Sequence, residues 1–149
     1  MANEITVNSS LRISLGSLDY QSRPTAFKAT LLNDAPPAPG RVNCVANVVK
    51  VVDLSTMVNP GVCRIQNLGD QANLSTYVDV GMYDSVSAVF TPMLELLVGE
   101  SYVMRLSRNL GEADSVPAPT GTSVSTRAQL ALLSLGYNIN VLVEAFDMD

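Results

Sequence analysis

Histidine and tryptophan are both absent from this sequence of 149 residues. The lack of histidine excludes Ser-His-Asp and Cys-His nucleophile systems, every His-ligated metal site and the usual general base at neutral pH. The lack of tryptophan, with only 5% aromatic residues, leaves few flat faces to stack on sugars and counts against a glycosidase or a carbohydrate-binding module. Charge is scarce as well. Asp, Glu, Lys and Arg make up 15% of the chain where about 25% is usual, so part of the surface is expected to lie against a partner. The net charge of −5 and the scatter of nine Lys plus Arg leave no basic face, and nucleic acid is not an expected ligand.

Two cysteines, Cys44 and Cys63, are too few for a zinc site, which needs four ligands drawn mainly from Cys and His. Two buried free thiols are the favoured reading, with a cross-strand disulfide as the alternative. No apolar run approaches the ~18 residues that would span a bilayer, so no membrane partner is expected. Met1–Val7 has neither a basic n-region nor an apolar h-region, and the chain is expected to be made in a cytoplasm and to stay soluble there, at least at first. Neither GxxxxGK nor GxGxxG occurs. The nearest approach to a calcium loop, Asp79-Val80-Gly81-Met82-Tyr83-Asp84, lacks the alternating oxygen ligands and reads as a hairpin turn. Glu95 with Glu100 and Glu112 with Asp114 are carboxylate pairs whose spacing in sequence defines no acid–base site. Tyr20, Tyr77, Tyr83, Tyr102 and Tyr137 read as core-edge packers with a wet hydroxyl. Asn8-Ser9-Ser10 and Asn73-Leu74-Ser75 match the glycosylation triplet, by chance if there is no secretory signal. No catalytic, cofactor-binding or metal-ligating residue is assigned, and an enzyme is not expected.

What the chain does have is short alternating runs between turn residues. Val62–Arg108 is the best-patterned stretch and reads as consecutive antiparallel strands. Val62–Gln66 enters a turn at Asn67–Asp70; Thr76, Val78 and Val80 share one face; Leu97–Glu100 turns the chain into Ser101–Leu106. Before it, Leu11, Ile13 and Leu15 mark a half-buried strand ended by Gly16. Pro24 then splits the following text, and Thr25–Leu31 is the better half. Asn33–Arg41 reads as a loop, because three prolines in four positions oppose a ladder. Val42–Asp53 is apolar on both parities and reads as a strand covered on both sides. Asn59-Pro60-Gly61 is a turn signal, and Val86–Phe90 a strand stopped by Pro92, with Met93–Val98 left open between strand and helical turn. Arg127–Leu135 favours a strand over a helix, closing a hairpin at Leu135-Gly136. Its partner is Tyr137–Phe146, with Ile139, Val141, Val143 and Ala145 inward. Asp147–Asp149 reads as a solvated acidic end.

The length and this pattern predict one all-β domain over residues 1–149, an antiparallel β-sandwich or jelly roll of about eight short strands with long surface loops. Residues 1–10 are a candidate N-terminal arm. Residues 109–125, rich in Gly, Pro, Ser and Thr, are an irregular surface excursion.

Several short pieces, in this order, carry a resemblance: the Met1–Thr6 start, Asn59-Pro60-Gly61, Arg64-Ile65-Gln66-Asn67-Leu68, Tyr77-Val78-Asp79-Val80-Gly81, a Leu-x-x-Gly-Glu turn at Leu96–Glu100, Met104-Arg105-Leu106, and Asn140–Glu144. The order is similar to that of a group of small tailed-bacteriophage virion proteins, over Val58–Leu106 and more loosely at the two ends. Two features depart from the group. The corner is Asn67-Leu68-Gly69-Asp70 where the group has Asn-Leu-Asp, and the 109–125 excursion is added. The resemblance implies a structural virion subunit, foremost a capsid decoration (cement) protein. Such a protein would bridge subunits of the major capsid protein as a homo-oligomer, with a trimer favoured, and reside in the virion. A tail, head–tail joint or fibre-base protein is the alternative.

Overall fold

The computed structural model describes residues 4–10, 12–22, 25–31, 36–69, 76–106, 114–117, 123–126 and 128–148. The described residues form β-strands and no helix: β1 (Glu4–Ser9), β2 (Arg12–Leu15), β3 (Leu18–Gln21), β4 (Thr25–Thr30), β5 (Ala38–Cys44), β6 (Lys50–Val51), β7 (Pro60–Asn67), β8 (Tyr77–Asp84), β9 (Val89–Leu97), β10 (Ser101–Arg105), β11 (Asp114–Pro117), β12 (Ser123–Thr126), β13 (Ala128–Leu133) and β14 (Ile139–Asp147).

Eight of these make two four-stranded sheets, ordered β10-β7-β14-β5 and β6-β13-β8-β9. The chain runs out through β5, β6, β7 and β8 and returns through β9, β10, β13 and β14. Each outgoing strand pairs antiparallel with a returning one: β8 with β9, β7 with β10, β6 with β13, β5 with β14. Successive strands of either run alternate between the sheets. β14 also pairs with β7 and β13 with β8, which completes each sheet. The inward faces meet in one apolar cluster, with Cys63, Ile65, Val141 and Val143 from the first sheet and Val78, Val80, Leu96 and Leu132 from the second. Period-two alternation produces this directly. Thr76, Val78 and Val80 are buried together as expected, and so are Ile139, Val141, Val143 and Ala145.

The remaining strands lie outside the two sheets. β1 pairs with β4, from Glu4↔Thr30 to Ser9↔Thr25, and β2 with β3, from Arg12↔Gln21 to Leu15↔Leu18, each pair a two-stranded ribbon. The β1–β4 ribbon is tied to the first sheet. Ala29, with Val7 and Leu31, packs on Val62 and Met148, and Leu31 bridges to Met148. The candidate arm at residues 1–10 is therefore half of a hairpin from Glu4 onward, while residues 1–3 lie outside the described residues. Of the half-buried strand expected over Leu11–Leu15, Arg12–Leu15 is β2 of the β2–β3 ribbon and Ile13 is exposed, while residue 11 lies outside the described residues. Gly16 does end it, in the β2–β3 turn.

Other expectations change for identifiable reasons. Residues 38–40 are not loop: β5 begins at Ala38 and Pro39 stands opposite Glu144. β5 is an edge strand, where a missing N–H costs no ladder bond on the open side. Pro92 likewise does not stop a strand. It lies within β9, another edge, opposite Gly81 at an irregularity in the register, and the turn falls earlier, at residues 85–88. That makes Met93–Leu97 strand. Val42–Asp53 is not one strand covered on both sides. It breaks after Cys44, leaves Val45 and Val48 exposed, and crosses to the second sheet at β6; the apolar residues of both parities belong to two strands and a corner. Asn59-Pro60-Gly61 leads straight into β7. Gly61 is needed there because a Cβ would strike the Met148 side chain. Met148 is itself buried, and its N–H donates to the Asn59 carbonyl at 2.9 Å, while Asp147 Oδ1 accepts the Asn59 N–H at 2.9 Å. The chain end through Met148 is thus built into the sheet instead of being solvated.

The central strands are antiparallel but only β8 and β9 form a hairpin among β7–β10, since β7 and β10 pair across that hairpin in the other sheet. β13 is a strand, as favoured, yet Leu135-Gly136 closes no hairpin, because β13 and β14 belong to different sheets. Within residues 109–125, β11 and β12 pair from Asp114↔Thr126 to Pro117↔Ser123, so the excursion contains a ribbon of its own; the rest of it lies outside the described residues.

Candidate interaction surfaces

The groups most able to do chemistry are placed where they do little. Among the described residues no group of three or more His, Cys, Asp or Glu could hold a metal. Asp79 and Asp84 lie on β8, not in a turn, five residues and so ~17 Å apart, too far to share a cation. Asp84 closes the β8–β9 turn: Ser87 Oγ and the Val86 N–H donate to its carboxylate, and these bonds hold its pKa below the usual value. Asp79 faces Glu95 across the ladder, and its partial burial raises its pKa. Glu100 accepts the Leu97 N–H at 2.9 Å, bracing the β9–β10 turn. Glu112 lies outside the described residues and Asp114 opens β11. Arg64 and Glu144 form a cross-strand ion pair at 2.7 Å on the outer face of the first sheet. Both are partly exposed, so the pair contributes at most ~1 kcal/mol.

Cys44 and Cys63 are free and buried. Cys44 pairs with Ile139 and Cys63 with Ala145, rows six residues apart on β14 and hence ~20 Å apart, which excludes a disulfide. Burial raises the thiols to about 11 for Cys44 and about 12 for Cys63. Thiolate is therefore negligible at pH 8. Titration with a thiol-specific disulfide reagent at pH 8 is expected to find no reactive group in the folded protein and two after denaturation. A reactive thiol in the native state contradicts this burial.

Large apolar side chains are exposed at several places among the described residues, Val58 and Val86 among them. On the two N-terminal ribbons, Ile13 and Tyr20 of β2–β3 and Phe27 of β4 are 40%, 50% and 41% exposed. At one end of the sandwich, the β5–β6 and β13–β14 connections lie side by side and display Val45, Val48, Leu135 and Tyr137, each at least 45% exposed. Three hydrogen bonds fix this corner: Asn47 N–H to the Ser134 carbonyl at 2.7 Å, Ala46 N–H to Asn138 Oδ1 at 2.9 Å, and Gly136 N–H to Asn47 Oδ1 at 3.1 Å. On the edge strands of the two sheets, Val89, Met93 and Leu97 of β9 and Tyr102 and Val103 of β10 are exposed. Three of the five tyrosines, Tyr20, Tyr102 and Tyr137, belong to these patches instead of the core edge. Sequence reading missed the corner, although the two apolar parities of Val42–Asp53 were its trace. No known protein family, curated protein or solved structure matches the chain.

Proposed function

We propose that this chain is a structural protein of a tailed-bacteriophage virion, a capsid decoration protein that stabilises the head as a homo-oligomer by bridging subunits of the major capsid protein. The observation that carries the reading is the set of large apolar side chains held uncovered on a hydrogen-bonded β frame. Apolar groups fixed in solvent mark contact surfaces, while Asp84 and Glu100 brace turns, Glu144 is ion-paired and both thiols lie in the core. The resemblance of Val58–Leu106 to small virion proteins supplies the kind of assembly.

The strand order adds support. Counted along the chain, the eight sandwich strands stand as first-eighth-third-sixth in one sheet and second-seventh-fourth-fifth in the other, which we read as a jelly roll. That architecture serves viral capsid domains and also lectins. The shortage of aromatic faces weighs against the lectin use, and a glycan array is expected to give no hits. The stabilisation would come from apolar area covered at each contact and repeated over a symmetric shell.

Antibody labelling of intact virions in negative stain tests the location. Label spread over the head is expected. Label confined to a vertex or to the tail moves the protein to the head–tail joint, tail or fibre base, and an unlabelled virion rejects the reading.

A further inference from the structure

We propose that β10 is the edge on which a second copy of this chain docks, Ser101–Arg105 of one copy pairing antiparallel with the same residues of the other across a two-fold axis. The contact would make the homo-oligomer of the reading above a dimer, in place of the trimer that the resemblance implies. It rests on strand geometry alone, so the two readings can fail separately.

An open sheet edge carries unpaired N–H and C=O groups that invite another strand, and natural sheets blunt such edges with proline, charge, irregular register or short strands. Of the four edge strands of the two sheets, three are blunted. β5 contains Pro39, the positive-φ Gly40 and the exposed Arg41. β6 is two residues long. β9 contains Pro92 beside its irregular register, exposes Glu95 in its second half, and has the Leu97 N–H already taken by Glu100 Oε2. β10 has no proline, glycine or irregularity, and its only charge is Arg105, the last residue.

The ladder fixes which groups β10 leaves open. The Leu106 N–H donates to the Gly61 carbonyl at 2.6 Å, and the Asn67 N–H to the Glu100 carbonyl at 3.0 Å. Between these bonds Tyr102 stands opposite Ile65 and Met104 opposite Cys63. Hydrogen-bonded pairs recur at every second residue of an antiparallel ladder, so on β10 they fall on the even-numbered residues. Ser101, Val103 and Arg105 therefore point their N–H and C=O groups away from β7, at the open edge.

A two-fold axis at Val103 satisfies all three residues at once. Val103 faces Val103 of the second copy, each Ser101 faces the other copy's Arg105, and each facing pair exchanges two hydrogen bonds. No like charges stand opposite one another. A slide of two residues in either direction keeps only two of the three residues paired, and a slide that centres on Arg105 sets two arginines face to face. This self-complementarity is what selects a copy of the same chain as the occupant.

The side chains agree with that register. Met104 packs on the core, and Tyr102, on the same inward face, is 50% exposed. In the pair each Tyr102 stands opposite Met104 of the other copy at a non-hydrogen-bonded position, where side chains come closest. A thioether against an aromatic ring is a favourable contact. On the outer face, the exposed Val103 meets its own copy.

Size sets the strength. Five residues of strand are ~17 Å long, so the contact covers less than ~1,000 Å² counting both partners and belongs to the weak class. Main-chain hydrogen bonds carry it, as in strand addition generally. The expected Kd is roughly 10–100 μM.

The test uses the full chain. Sedimentation equilibrium between ~1 μM and ~1 mM is expected to show a species of 15.9 kDa passing into one of twice that mass. Val103→Pro removes an outward N–H and leaves the β7 ladder whole. It is expected to raise the Kd about tenfold or more, with the melting temperature of the dilute protein unchanged. Val103→Lys and Val103→Glu keep the N–H but set like charges face to face at the axis, and each is expected to weaken the dimer similarly. Mixed together, these two variants are expected to recover the dimer that neither forms alone, an outcome that does not depend on how Val103→Pro folds. A wild type still monomeric at ~1 mM, a trimer, a dimer indifferent to these substitutions, or mixed variants that fail to pair overturns the proposal. A monomer that labels the virion head would overturn the edge pairing and leave the decoration reading standing; a dimer absent from the virion would do the reverse.

Discussion

Asn67→Ala is expected to lower stability by about 3 kcal/mol and the melting temperature by roughly 6–12 °C. Asn67 ends β7 fully buried. Its Nδ2 donates to the Leu96 carbonyl at 3.0 Å and its Oδ1 accepts the Gly69 N–H at 2.8 Å. Its backbone completes the knot, the N–H donating to the Glu100 carbonyl at 3.0 Å and the carbonyl accepting the Gly99 N–H at 2.9 Å. One side chain therefore ties the end of the first sheet to the turn that carries the chain back from the second. Alanine leaves a buried donor and a buried acceptor without partners, and each orphan costs about 1–3 kcal/mol. Asn43→Ala is the control, because its side chain makes only an exposed 3.4 Å contact with Asn140, and a shift within ~0.5 kcal/mol is expected. Chemical denaturation of both variants is the measurement, and equal midpoints would contradict the role given to Asn67.

Gly81→Ala is expected to cost about 3 kcal/mol for a different reason. A Cβ there would press on the Thr91 carbonyl oxygen and lie 2.9 Å from the Pro92 Cα. Both are backbone atoms of β9 and cannot turn aside as a long side chain does. The irregular register between Val80 and Gly81 is where β8 and β9 come this close, and Pro92 on an edge strand is tolerated at the same place. The variant has either to open the ladder or to move β9, which also carries Leu96 into the core. Faster amide exchange in β8 and β9, with β14 left protected, is the expected signature; unchanged exchange and unchanged stability would mean that the close approach is not real.

These two positions also mark the limit of what the sequence makes legible. Asn67 was read as the first residue of a turn, because Val62–Gln66 alternates and Gly69 follows, whereas it is the last residue of β7. Its buried role depends on Leu96 and Glu100, some thirty residues away, and local pattern carries no such information. The same limit explains the strand partners. Alternation says which residues face inward, and it did so for Thr76–Val80 and Ile139–Ala145, but it does not say which sheet a strand joins. Leu135-Gly136 looks like a hairpin turn because a glycine between two apolar runs is compatible with a hairpin and equally with a crossing between sheets. Pro39 and Pro92 were read as breakers because proline interrupts central strands, and both turned out to lie on edges. Met148 shows a third limit: a single apolar residue between two acids has no periodicity to read, yet Val62, Gly61 and Leu31 leave a place that it fills. The candidate surfaces were the least legible part. Ile13 promised a core-facing strand, and only the pairing of β2 with β3 shows that it stands on a ribbon outside the two sheets. The charge-poor composition raised the expectation of covered surface, without saying where.

The central claim, that this β-sandwich acts by covering a viral shell, is tested most directly by mixing the purified protein with shells assembled from the major capsid protein alone and imaging them by electron cryo-microscopy. The account predicts ordered extra density at symmetry-related positions on the outer surface, of a size to hold the eight-stranded sandwich. Shells that remain bare at saturating protein would contradict it.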